Sequence, residues 1–169
     1  MNKFLLIFSC FLLTCNMCFS QNEFTEKSRK AKQSDLIGTW QMYYQSVSPL
    51  FLDKSLFFAT YQIFEFCEDG CFKNFASKKK PKLEKINSLL QSIPRSTVYS
   101  FSGEGLLVIE RSRKDFDNII VSIAVDDFQN ALRYMAPLLK KGDLIVSYRD
   151  LDKNMYMQRY LRRLNLSSN

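Results

Sequence analysis

The sequence predicts an all-β domain with minor helices: an eight-stranded antiparallel up-and-down β-barrel carrying one or two short helical insertions. Three observations point there. Short runs of alternating apolar and polar residues recur along the chain, rich in Phe, Tyr and β-branched residues. Turn signals such as Asp69-Gly70 and Gly142-Asp143 separate many of them. No long amphipathic helix interrupts the series. Eight strands is also the size at which a barrel either fills with side chains or holds one small ligand.

The 169 residues suit one domain. Residues 1–20 read as a cleavable secretory signal: Lys3 is the positive start, Phe4 to Leu13 the apolar stretch, and Cys18-Phe19-Ser20 the cleavage motif. Leu12-Leu13-Thr14-Cys15 is a rival, lipid-anchoring motif, but threonine before the cysteine fits it poorly. The expected location is secreted or periplasmic. Residues 21–35 read as a linker, 36–164 as the barrel domain and 165–169 as a tail. No later segment has the roughly 18 consecutive apolar residues of a membrane-spanning helix, so no transmembrane segment is expected in the mature chain.

The first strand runs near Thr39 to Val47, with Trp40, Met42 and Tyr44 on one face. Pro49 breaks it, and Leu50 to Ser55 reads as a loop over one barrel mouth. The second strand spans Phe57 to Cys67 and the third Cys71 to Phe75. Two turn registers can join them. A two-residue turn pairs Glu68 with Cys71. A three-residue loop with a left-handed Gly70 pairs Phe66 with Phe72 and Glu65 with Lys73. The longer loop is preferred, because it matches aromatic with aromatic and acid with base. It also sets Cys67 opposite Cys71, at a separation that a disulfide can span.

Lys78-Lys79-Lys80-Pro81-Lys82 leads into a helix through about Ser92, with Leu83, Ile86, Leu89 and Leu90 as its apolar stripe. Strands near Ser96 to Phe101 and Leu106 to Arg111 flank a Ser-Gly-Glu-Gly turn. A β-branched strand covers Asn118 to Val125. Asp126 caps a predicted helix over Asp127 to Met135. Leu144 to Tyr148 and Met155 to Arg163 are the last two strands.

Leu36-Ile37-Gly38-Thr39-Trp40, the aromatic hairpin Phe64 to Phe72, and the closing strands Gly142 to Tyr148 and Tyr156 to Arg163 together resemble the lipocalin-like family, in its small secreted bacterial form. The resemblance spans roughly Leu36 to Arg163. It implies that a late arginine packs over the opening tryptophan and closes one barrel end. Arg159, Arg162 and Arg163 are all available and strand parity alone does not choose among them. The closing set is assigned as Gly38, Trp40 and Arg162. The resemblance also implies a ligand cavity. With Trp40 inward, its candidate lining is Trp40, Met42, Tyr44, Phe64, Phe66, Leu144, Val146 and Tyr148.

Catalysis is not indicated. The chain has no histidine, and hence neither the commonest general base nor the commonest zinc ligand. It carries no phosphate loop and no nucleophile elbow. No cofactor or metal site is expected, and Asp126-Asp127 and Asp150-Leu151-Asp152 read as turn residues. The net charge is +7, with only Lys3 of that in the leader. The charge suits an anionic surface as partner, and nothing in it specifies a nucleic acid. Two functions are expected to compete. One is the binding of a small hydrophobic molecule or lipid in the barrel. The other is a filled barrel that docks an acidic envelope or host component through Lys78 to Lys85, Arg111, Arg113 and Lys114.

Overall fold

A computed structural model describes residues 24–46, 61–112, 115–130, 136–150 and 155–166. The expected leader, the loop at Leu50 to Ser55, the start of the second strand and residues 131–135 lie outside the described residues. After a helical turn over residues 24–27 come β1 (Ser28–Lys30), α1 (Gln33–Leu36), β2 (Gly38–Ser46), β3 (Tyr61–Phe66) and β4 (Phe72–Ser77). Then follow α2 (Leu83–Gln91), β5 (Val98–Phe101), β6 (Leu106–Ser112), β7 (Asp115–Ala124), β8 (Leu144–Asp150) and β9 (Met155–Arg163).

The sheet order is β4-β3-β2-β9-β8-β7-β6-β5, with every pairing antiparallel. Each strand from β2 onward therefore lies beside its neighbours in the chain, and the last returns to the first. That is an up-and-down barrel of eight strands. Its seam is narrow. Among the described residues β4 meets β5 through the Cys71–Val98 bridge, where Tyr99 N–H donates to Gly70 C=O at 2.8 Å and Phe72 N–H to Thr97 C=O at 2.9 Å. The barrel is nearly closed. The short β1 pairs with the end of β7, Ser28 opposite Ala124.

The three-residue hairpin loop holds. Phe66 pairs with Phe72 and Glu65 with Lys73, and Gly70 has φ +83°. Lys73 and Glu65 form an ion pair at 2.8 Å, and the Phe66 and Phe72 rings lie 5.1 Å apart. The disulfide does not follow. Cys67 and Cys71 are free thiols. Cys67 N–H donates to Cys71 C=O at 2.9 Å. Burial, then the Glu65 charge, pushes the Cys67 thiol up to about 11, which suppresses the reactive thiolate.

Among the described residues, apolar side chains form three clusters. One fills the barrel, with Trp40, Met42, Phe64, Phe66, Leu144 and Leu161 among its members. The other two lie outside the wall. Ile86 and Leu90, one turn apart on α2, pack with Ile63, Phe75, Leu164 and Leu166. The predicted helical stripe therefore splits: Leu83 is exposed and Leu89 half-buried. The other outer cluster joins Phe128, Ala136 and Leu139 to Ile145 and Tyr160. Residues 127–130 are not helical. Phe128 and Leu139 instead exchange backbone hydrogen bonds at 3.1 and 2.9 Å, and the Phe128 ring meets Phe24 edge-on at 5.9 Å. Packing on the wall outweighs the weak local preference for helix.

The entry to β2 is pinned by charge. Asp35 accepts a bidentate pair from Arg29 at 2.7 and 3.0 Å and the Lys32 N–H at 2.7 Å. The Arg29 hydrogen bond, foremost, holds the Asp35 carboxyl below its usual range. A depressed folded-state pKa stabilises the fold above the unfolded value of about 4 and loses that contribution as pH falls. Asp35→Asn should therefore lower the urea midpoint at pH 7, and the gap to the unsubstituted chain should narrow as the pH falls through the lowered Asp35 pKa. A gap that persists unchanged at low pH would contradict this.

Candidate ligand cavity

One end of the barrel is sealed by β2 and β9. Their register places Trp40 opposite Arg163 and Gln41 opposite Arg162. Side chains alternate along a strand, so Arg163 shares the inner face with Trp40 and Arg162 points out. The Arg163 guanidinium stacks 4.4 Å from the Trp40 ring centroid and donates to Ile37 C=O at 2.7 Å and Asp35 C=O at 2.9 Å. Trp40 is fully buried, its indole N–H donating to Leu36 C=O at 2.6 Å. The arginine thus satisfies carbonyls left over where α1 ends and β2 begins. Gly38 lies directly beneath. Its φ is +126°, and a Cβ there would stand 2.6 Å from Arg163 Nη1. The closing set is therefore Gly38, Trp40 and Arg163, and the assignment of Arg162 is corrected.

Arg162 has another task. It lies 4.5 Å over the Tyr43 ring and grips Asp143 at 2.9 and 2.7 Å. Asp143, only 3% exposed, also accepts from the Tyr43 hydroxyl at 2.7 Å and the Lys140 N–H at 2.8 Å. Burial, and next the Asp143 carboxylate, raise the Tyr43 pKa above the ordinary phenol value. This network ties the β7–β8 connection to the outer face of β2.

A β-bulge between Met42 and Tyr44 explains a second correction. It adds one residue to β2 and reverses the parity beyond it. Tyr44 consequently pairs with Tyr160, ring centroids 4.8 Å apart, in the outer cluster. It does not line the interior. Gln45 takes the inward position and meets Arg159.

The remaining candidates divide by depth. Trp40, Met42 and Leu144 make the filled floor of the barrel. Phe64, Phe66, Val146 and Tyr148 line a cavity of about 40 Å³ above it, with Leu107, Ile109, Ile119, Met157, Leu161 and Arg159. The last of these was not expected. Its Nε donates to the Gln45 side-chain carbonyl at 2.9 Å, and its guanidinium carbon lies 6.0 Å from the Phe64 ring centroid. A charged residue on a strand reads as solvent-facing, and only its shared parity with Met157 and Leu161 signals otherwise. The cavity holds a few waters, since one needs about 10–15 Å³ of such space.

A second concavity, of about 430 Å³, lies outside the sealed end, bordered by Lys140, Lys141, Gly142, Asp143, Arg162, Arg163 and Asn165. Its cations are partly engaged: Lys140 pairs with Asp127 at 2.6 Å and Arg162 with Asp143. Lys78, Lys79 and Lys80 are exposed beyond β4. Arg113 and Lys114 lie outside the described residues. No protein-family model, no curated protein and no solved structure matches the chain.

Gly38→Ala combines backbone strain with a collision against the sealing arginine. It should cost about 1–3 kcal/mol, read as a lower urea midpoint at unchanged slope. An unaltered midpoint would mean that Arg163 yields without cost and does not hold the barrel end.

Proposed function

We propose that this chain is an exported, lipocalin-like binding protein that holds a small hydrophobic or amphipathic molecule inside the barrel. The observation that carries this reading is the cavity above the sealed floor, walled by aliphatic and aromatic side chains and one arginine. Ligand sites of this kind are mostly apolar with a few polar groups that fix orientation. At about 40 Å³ the cavity is far smaller than the roughly 300–1,000 Å³ of a filled ligand pocket. Entry of a chain or ring therefore needs side chains at the Tyr148–Met157 end to part. Methionine, unbranched and flexible, suits that role.

The same small volume supports a second reading, a filled barrel that docks an acidic surface. The groove at Lys140, Lys141, Arg163 and Asn165 and the exposed Lys78 to Lys80 supply its cations. Such binding would weaken steeply with salt.

Titration with 1-decanol, followed by displacement of an environment-sensitive apolar dye, separates the two. Saturable 1:1 displacement is expected, weakened at least tenfold by Val146→Phe, which fills the cavity. No displacement, together with salt-sensitive binding to anionic vesicles that Lys140→Gln/Lys141→Gln weakens, would favour the docking protein.

A further inference from the structure

We infer that the barrel ligand bears a carboxylate and binds head-first, its anionic group against Arg159 at mid-depth and its apolar part toward Tyr148 and Met157. This rests on the barrel-ligand reading and specifies its chemistry. Three features support it. Arg159 lies on the inner face of β9, between Met157 and Leu161, both buried, and it borders the cavity. Its position is set from two sides, by the hydrogen bond from Nε to Gln45 and by the Phe64 ring beneath the guanidinium. A guanidinium so held presents a rigid planar fork, whose geometry matches a carboxylate bidentately.

The environment adds the electrostatic reason. A cation bordered by Phe64, Val146, Met157 and Leu161 sits where the dielectric is low, and attraction to an anion is stronger there than in water. A neutral head group would forgo that gain. The volume adds a steric reason. The cavity is small, about 40 Å³, so a compact head group fits beside Arg159 more readily than an alkyl chain. The chain must then extend toward the end of the barrel away from Trp40, because the floor of Trp40, Met42 and Leu144 is filled.

The test compares decanoate with 1-decanol, equal in chain length, by calorimetric titration of the full chain at pH 8. Decanoate should bind at least tenfold more tightly. Arg159→Leu should raise the decanoate Kd at least tenfold and change that for 1-decanol less than threefold. Arg159→Lys should retain part of the preference, since it keeps the charge but not the fork. Should Arg159→Leu fail to fold, the two ligands on the unsubstituted chain still decide. Equal affinity for both, or a preference that survives in Arg159→Leu, would overturn the carboxylate assignment and leave the barrel site standing. Binding of neither ligand would remove the barrel reading itself, and this inference with it.

Discussion

The pairing of β2 with β9, locked by Arg163 over Trp40, is the constraint on which the rest of the barrel depends. It joins the first long strand to the last and buries the indole. It also satisfies the Ile37 and Asp35 carbonyls, which would otherwise be stranded at a helix end. Gly38 is the sequence cost of that closure, because only a residue without Cβ leaves the guanidinium its place. The pairing also sets parity. Once Arg163 faces inward, Leu161, Arg159 and Met157 follow, while Tyr160 and Arg162 face out. A slip of one residue would exchange these sets and place Tyr160 and Arg162 inside.

The wall between inside and outside is apolar on both faces where β3, β8 and β9 meet the outer clusters. Ile63 on β3, Ile145 on β8 and Tyr160 on β9 are buried on the outer side. The chain covers them with its own insertions, α2 on one flank and the Phe128–Leu139 segment on another. Burying outer apolar surface in this way stabilises a barrel whose interior alone is small. The Tyr43–Asp143–Arg162 network links one insertion to the wall with charge-assisted hydrogen bonds. The insertions thus have a structural role, whatever else they contact.

Local signals were the legible ones. Gly-x-Trp, the Asp-Gly hairpin with its Glu65–Lys73 pairing, and the strand series are set by neighbours in sequence, and the structure keeps them. The register of β2 on β9 and the bulge in β2 rest on long-range pairing. Arg162 was chosen over Arg163 because nothing local fixes the register of β2 on β9. Tyr44 was placed inside because a bulge leaves no clear mark on an alternating run. Arg159 faces the cavity although a charge on a strand usually signals solvent. Cys67 and Cys71 stand across the hairpin as its register requires, yet both are free thiols.

The functional proposal requires that one half of the barrel be filled and the other half yield. Methyl NMR of the full chain titrated with decanoate tests this most directly. Shifts concentrated at Ile109, Ile119 and Val146, with Leu36, Leu144 and the outer Ile63 and Leu139 unmoved, are predicted. Shifts confined to the outer clusters or to residues beside the Lys140–Asn165 groove would contradict a ligand site inside the barrel.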